Sequence, residues 1–504
     1  MSRATAIRVA IIAAVIVILE LVCQLGWVRP GLLTPPTRMV TELVALMQTS
    51  SFWQSVWIST HSIVIAFVCA VIVGSVIGLL LHSAPRVRGS VEPLIASYYA
   101  LPFFVIYPLL IVLLGMNHKP IILIGFLYAV MAMIIGVLNG LDRIPVVLMR
   151  TGQTYRMSGP QQAFYISLPA AAPYIFTGGK LAFGYAITGV LGSEFILADS
   201  GFGYNIAFAY NNFDDKKMYA HLLFLITVIS LVTILIYRAE RAVEHRSGTG
   251  RISGDRAVDS KLSKVVAAGV IALILLALWQ WAHVVVGREA LASPAVTLTH
   301  FTMLVQTEQL WFHAAETFKA LGMALMISCG AGAILGALIG ISTMAIKVAS
   351  PMLVTLYALP KVTLYPLVLL FFGVGLSAKV VFGAMYGMIP IMLIVINAIQ
   401  SMNQVLLKTA RVMRLTKMQS LGTVVIPAMI PELVTGIRIS FSITFLGVMI
   451  GEMFASSRGL GFMLMNSINI NDTSTMMAVT VMVAIFAVVI NASLLSLEHA
   501  VSRD

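Results

Sequence analysis

The sequence predicts an all-α polytopic membrane protein: about twelve transmembrane helices in two parallel six-helix repeats, each with a short cytoplasmic helical segment. Two observations carry this. Of 504 residues, 59% are hydrophobic and 10% charged, with a mean hydropathy of +0.97, too apolar for a chain that water solvates on all sides. The chain also repeats itself. An offset of 258 positions carries Leu101-Pro102 onto Leu359-Pro360, Trp53 onto Trp311, Gly74 and Gly78 onto Gly332 and Gly336, and Tyr107-Pro108 onto Tyr365-Pro366. The same offset carries Asn139 onto Asn397, Pro169 onto Pro427, Glu194 onto Glu452, and Gly201 and Gly203 onto Gly459 and Gly461. The register holds without a gap, so each half is one structural unit and the chain is a duplicated dimer.

Crossing a bilayer takes about 20 apolar residues per helix. In the first half, residues 9–25, 57–81, 93–115, 120–141, 173–197 and 218–237 meet that need, and in the second 265–286, 315–341, 351–373, 378–399, 431–454 and 476–497. A β-barrel would show ~10-residue alternating segments instead. The first run follows Arg3 and Arg8 as a secretory signal would, but it is long, carries Glu20 and lacks a small-residue cleavage site. It reads as a retained helix. The organisation expected is a first half over residues 1–240, a solvated linker over 241–262 rich in Gly, Ser and alternating charge, and a second half over 263–504. Six spans per half put both halves in the same topology, related by an axis along the membrane normal, where a pathway would lie.

Cations set the orientation. Arg3 and Arg8, Arg86 and Arg88, Arg143, Arg150 and Arg156, the linker cations, Lys347, Lys408, Arg411, Arg414, Lys417 and Arg503 all fall on one side. The other side holds fewer, such as Arg29, Arg38, Lys216, Lys217, Arg288 and Arg458. The positive-inside rule places both termini in the cytoplasm. It also accounts for the net charge of +12 without a nucleic acid, and points to membrane lipid and a cytoplasmic partner as counterparts. Cys23, Cys69 and Cys329 sit in apolar runs with no C-x-x-C pairing, so they read as packed thiols. No metal-binding histidine pattern and no G-x-x-x-x-G-K-[ST] string occurs, which excludes ATP hydrolysis through a Walker-type site in this chain.

Between the fourth and fifth spans, residues 148–169 and 406–427 are basic and helix-compatible, and end in an apolar residue plus Pro169 or Pro427. One such segment could rest on headgroups as an amphipathic connector. Two at the same offset point to paired docking helices. Here the sequence resembles the cytoplasmic loop of type I ABC importer permeases, the binding-protein-dependent inner-membrane components. Further strings resemble the nitrate, sulfonate and taurine branch: Leu32-Leu-Thr-Pro-Pro-Thr-Arg-Met39, Tyr357-Ala-Leu-Pro-Lys-Val-Thr-Leu-Tyr-Pro-Leu367 followed by Phe372-Gly-Val-Gly375, and Gly451-Glu-Met-Phe-Ala-Ser-Ser-Arg-Gly-Leu-Gly461.

The resemblance implies a permease with two halves fused in one bacterial inner-membrane chain, fed by an extracytoplasmic solute-binding protein and driven by two ABC ATPase subunits. It further implies that ATP and Mg bind those subunits, that this chain binds no cofactor and catalyses nothing, and that the solute is a small anion such as a sulfonate, nitrate or aromatic carboxylate; vitamin precursors also occur in the branch. It places ATPase contacts on 151–163 and 409–421 together with the residue before each, naming Arg150, Thr151, Tyr155, Arg156, Met157 and Ser158, and Lys408, Thr409, Ala410, Met413, Arg414 and Leu415. The family's loop begins with Glu, where this chain has Arg150 and Lys408. Its Gly falls on Arg156 and Arg414, and because arginine enters the left-handed region less freely than glycine, a differently shaped turn is expected.

Charges within spans are the remaining site candidates, since an ion at mid-bilayer costs roughly 2.5 to 3.5 kcal/mol on insertion scales. Glu194 and Glu452 read as gate residues or, more simply, as structural carboxylates bonded to nearby backbone. Lys180 and Arg438 match across the repeat and can snorkel to the interface. Lys361 falls opposite Phe103. It either attracts an anionic solute between aromatic walls of Phe103, Phe104, Tyr107 and Tyr365, or pairs with an acid such as Glu194 or Glu20. The competing function is an ion-coupled secondary transporter with Glu194 and Glu452 as proton carriers. That class expects a charged G-x-x-x-D-R-type loop after the second span, where this chain has His82-Ser-Ala-Pro-Arg-Val-Arg-Gly89.

Overall fold

Capping residues fix where many helices begin. In the first half α1 (Arg3–Gln24) and α2 (Pro36–Met47) precede the long α3 (Ser50–Ser83), then α4 (Pro85–Tyr98), a 3-10 turn Phe103–Val105 and α5 (Tyr107–Leu114). Next come α6 (His118–Asp142), α7 (Val146–Thr154), α8 (Leu168–Leu197), α9 (Phe202–Asn211) and α10 (Asp215–Glu244). Asn117 caps α6, accepting from Lys119 N at 2.8 Å, and prolines open α2 and α4, where a missing N–H costs nothing. The computed structural model describes residues 3–29, 31–98, 103–244, 261–287, 291–402, 404–416, 419 and 421–501. Most of the expected linker, the Leu101-Pro102 pair, and residues 417, 418 and 420 of the second basic segment lie outside the described residues.

The second half rebuilds the first. Its helices are α11 (Lys261–Val286), α12 (Pro294–Val305), α13 (Glu308–Gly340), α14 (Thr343–Ala358), a 3-10 turn Lys361–Leu364 and α15 (Tyr365–Phe372). They continue with α16 (Leu376–Ser401), α17 (Gln404–Val412), α18 (Ile426–Ala455), α19 (Leu460–Asn469) and α20 (Thr473–Val501). The 258-residue offset holds at both ends of α2 and α12, α5 and α15, α7 and α17, α8 and α18, and α9 and α19. It even holds for the short π turns Ala163–Ser167 and Leu421–Val425.

Among the described residues, eight helices are long and apolar enough to cross a membrane: α1, α3, α6, α10, α13, α16, α18 and α20. A ninth crossing is a broken one, in which α14 meets the 3-10 turn and α15 at a bend of 89°. The repeat partners α8, α11 and the α4–α5 pair bring the fold to about twelve. The sequence reading treated 93–115 and 351–373 as continuous spans; the structure corrects the second, and residues 99–102 of the first lie outside the described residues. Leu359, held extended at ψ 134° ahead of Pro360, breaks the helix, because a residue before proline is pushed out of the α region.

Helices within each half meet through small residues. A Cβ added to Gly178 on α8 would fall 2.7 Å from the Gly136 Cα on α6, an approach no larger residue permits. Two compact units emerge, and each takes its leading apolar helix from the other half of the sequence: one joins residues 1–41 and 99–105 to 295–504, the other joins 42–98 to 106–294. Accordingly α1 packs on α14, and α11 packs on α4.

Candidate functional site

The two basic segments between the fourth and fifth spans are built as elbows. Helix α7 closes with Tyr155 N donating to Thr151 O and Met157 N to Gly152 O, both at 3.0 Å. This five-residue closure demands a left-handed residue just past the helix, and Arg156 supplies it at φ 51°. In the other half Leu415 N reaches Ala410 O at 3.1 Å, and Arg414 also sits at φ 51°. The sequence expectation that arginine would reshape this turn is therefore corrected. Both arginines adopt the glycine-like conformation, at a backbone cost of about 1–2 kcal/mol each. Each elbow then restarts through a capping box: Ser158 N donates to Gln161 Oε1 and Thr416 N to Gln419 Oε1, each at 2.9 Å.

The candidate contact residues divide by exposure. Arg150, Thr151, Tyr155, Arg156 and Ser158 are exposed, as are Lys408, Thr409, Met413 and Arg414, whereas Met157 and Leu415 are half-buried. Tyr155 and Met413 stand out as apolar side chains 74% and 65% exposed at matching positions. Ala410 points inward, as does its counterpart Gly152, where a Cβ would meet Ile166 Cδ1 at 2.9 Å. Both are packing residues at the elbow. Thr151 and Thr409 spend their hydroxyls on the helix, bonding Val147 O at 2.9 Å and Val405 O at 3.0 Å.

Glu194 and Glu452 pin the turns that lead into α9 and α19. Ser59 donates to Glu194 Oε2 at 2.7 Å, Gly203 N donates to the same oxygen at 2.9 Å, and Phe202 N closes the ring onto the Ser59 hydroxyl at 2.7 Å. The second half repeats this with Thr317 in place of Ser59: Thr317 to Glu452 Oε2 at 2.8 Å, Gly461 N to the same oxygen at 3.1 Å, and Leu460 N to Thr317 at 2.8 Å. One feature breaks the symmetry. Lys379 donates to Glu452 Oε1 at 3.0 Å and to Arg458 O at 3.2 Å, both ionic partners being buried. Ile121 holds the matching position in the first half, and Glu194 Oε1 there has no partner among the described residues. Sequence reasoning missed this ion pair, although a lysine inside the apolar run 378–399 was the available signal.

Lys361 lies in the 3-10 turn at the bend and is 5% exposed. Its ammonium donates to Tyr357 O at 3.2 Å and lies over the Tyr357 and Tyr386 rings, 4.9 and 5.2 Å from their centroids. Such an aromatic cage stabilises a cation without neutralising it. Neither acid offered by the sequence as its partner takes that role: Glu20 accepts from Thr37 and Gln24, and Glu194 from Ser59 and Gly203. Tyr365 is buried, donates to Gly451 O at 2.8 Å and packs on Phe382 and Phe454. Phe103, Phe104 and Tyr107 are buried as well. Tyr386 joins the Lys361 surroundings unforeseen, because its 25-residue separation from Lys361 hides it from local patterns. Arg438, read from sequence as snorkelling, meets Glu498 at 2.5 Å.

Comparison with known proteins gives a family. A family model described as binding-protein-dependent transport system inner membrane component matches residues 39–248 and again 330–504. A Bacillus subtilis permease named for aliphatic sulfonates transport, SsuC, is 28% identical over 218 residues, covering 43% of this chain and 78% of that protein. The taurine transport system permease TauC of Escherichia coli is 25% identical over 251 residues, 49% of this chain and 90% of its own length. The nitrate import permease NrtB of Synechocystis is 23% identical over 183 residues, 36% of this chain and 65% of its own length. Each of the first two spans most of itself on about half of this chain.

Proposed function

We propose that this chain, which belongs to the binding-protein-dependent transport system inner membrane component family, is a two-halved permease of an ATP-driven importer for a small anionic solute. The duplicated elbow carries the reading. Two exposed basic segments, built identically at φ 51°, are what two docked ATPase subunits would need as lever arms. ATP and Mg belong to those subunits, a solute-binding protein delivers the cargo to the outer face, and both termini are cytoplasmic, a reading the cation distribution supports. The halves are residues 1–240 and 263–504, joined by the cytoplasmic linker.

The anion class rests on two supports. Lys361 is a buried cation that the chain leaves un-neutralised among the described residues, and relatives are named for sulfonates, taurine and nitrate. Glu194 and Glu452 are assigned to turn closure, because each carboxylate is engaged by backbone and hydroxyl donors. A proton-coupled carrier is the alternative, and the same experiment separates it.

The test is to purify the tagged chain from native membranes in mild detergent, identify what accompanies it, and reconstitute it for uptake of taurine, an alkanesulfonate and nitrate. Uptake that requires ATP and an accompanying ATPase, and that Lys361→Met abolishes without releasing the ATPase, supports the reading. A chain that emerges alone and takes up solute on a pH gradient, with Glu194→Gln blocking it, overturns it.

A further inference from the structure

We propose that Arg156 and Arg414 each present a guanidinium to an acidic side chain of the ATPase subunit docked on its segment, so that the left-handed turn acts as a charge-bearing contact rather than a plain helix stop. This rests on the importer reading above and names the chemistry of its cytoplasmic interface.

The chain shows elsewhere what this turn costs least. Helix α1 ends on Gly26 at φ 70° with the same five-residue closure, Trp27 N to Val22 O, and α19 ends on Asn471 at φ 55° with Asp472 N to Ser467 O. Glycine and asparagine enter the left-handed region readily; arginine does not. At the outer turn after α9 the residue type is not held between repeats, since Phe213 stands where Asn471 does. In the cytoplasmic turn it is held: Arg156 matches Arg414, while their neighbours have diverged from Gln153 to Arg411, Tyr155 to Met413 and Met157 to Leu415. A strained residue kept at both copies is explained by what its side chain does.

Among the described residues that side chain has no partner within the chain. Both arginines are exposed, and no hydrogen bond or ion pair engages either guanidinium among the described residues. Residues 146–163 contain Arg150 and Arg156 and no acid; residues 404–421 contain Lys408, Arg411, Arg414 and Lys417 and no acid. No acid within either segment answers the charge. Lipid headgroups accept a cation from any direction and place no demand on the backbone, whereas a carboxylate gripped by a planar guanidinium requires a fixed approach. Arginine kept at both copies while its neighbours have diverged fits the second case. The more basic second segment should then face the more acidic, or more salt-sensitive, of the two docking surfaces.

The experiment compares the full chain with its Arg156→Gly, Arg414→Gly and doubly substituted forms, each purified from native membranes with whatever ATP-hydrolysing subunit it retains. Glycine relieves the backbone, so the thermal midpoint of the chain should stay level or rise. Retention of the ATPase should nevertheless fall by about tenfold or more in the double variant, as expected for losing charge-assisted bonds, and should lose its salt dependence. In a second arm, Arg156→Lys and Arg414→Lys keep the charge and allow a carbodiimide to join the new amine to a carboxylate with loss of water. Mass spectrometry should then find an amide between position 156 or 414 and an Asp or Glu of the ATPase. Glycine variants that hold the ATPase as tightly as the parent, with no such amide, overturn the assignment. So does a loss confined to binding of phosphatidylglycerol vesicles. A parent chain that retains no ATPase overturns both this assignment and the importer reading, and so distinguishes the two failures.

Discussion

The two buried glutamates hold matching positions in the two repeats, yet their surroundings differ by one charge. Around Glu452 the carboxylate is shared among Thr317, the Gly461 amide and the Lys379 ammonium. Around Glu194 the hydroxyl and amide remain, as Ser59 and Gly203, but Ile121 replaces the lysine. The shared part closes the turn. The unshared part shows that fusing two halves in one chain let each copy solve the electrostatics of a buried acid separately, with Lys361 opposite Phe103 as a second divergence of the same kind.

Removing the lysine should produce the largest effect. Lys379→Met strands Glu452 as a buried acid without its cation, and breaking one side of such a pair costs about 3–5 kcal/mol. Denaturation of the detergent-purified chain should show that loss, and Lys379→Met combined with Glu452→Gln should recover much of it. Ile121→Met, the matching change in the other half, conserves volume and should cost under about 1.5 kcal/mol. Equal losses in the two halves would end the comparison.

Gly201 and Gly459 come next. They sit at φ 108° and 118° against the carboxylates they help to close in, and a Cβ on either would fall inside the carboxylate group. Alanine at each should destabilise by about 1–3 kcal/mol from the backbone alone. A larger loss at Gly459 is expected, because the displaced carboxylate there also forfeits Lys379; differential scanning of the two variants measures the gap.

A smaller and opposite effect is expected from Phe213→Asn. Phe213 is 90% exposed and left-handed at φ 56°, and Asn471 fills the same position in the other half. The substitution should raise stability by up to about 1 kcal/mol. If the thermal midpoint falls instead, the phenyl ring has a role that the symmetry argument misses.

The smallest effect is a pH dependence confined to the turns before α10 and α20. Burial works to raise the Asp214 and Asp472 carboxyls, but hydrogen bonds from Lys217 and from Thr475 outweigh it and hold both below the ordinary value. Groups depressed in the folded state lend stability above their unfolded pKa of about 3.9, and that support is lost as pH falls through the folded value. Amide exchange in these turns, taken relative to the intrinsic rate at each pH, should be flat from neutrality down to about pH 4 and rise below it. A rise near pH 6 would point to another group.

Much of this was legible before any coordinates. The spans, the register and the elbow positions follow from apolar length and the 258-residue repeat, both of which are local or periodic properties. The broken third span was partly legible, in the Leu359-Pro360 pair, but its 89° bend was not, because proline forbids a helix without saying where the chain goes next. The arginine turns were misjudged from residue preference alone: closure of the helix end outweighed a strain of about 1–2 kcal/mol.

What the sequence determined by itself is therefore the membrane class, the duplication and the family, since hydropathy and repeat register need no three-dimensional partner. Tertiary structure decided which charges meet. Lys379 and Glu452 are separated by 73 residues, and Lys361 and Tyr386 belong to different helical elements. It also decided that each compact unit draws its first helix from the other half. The reason is physical: a buried ion must find its partner across helices, and an apolar helix face buries itself on whichever surface packs it best, neither of which leaves a periodic trace along the chain.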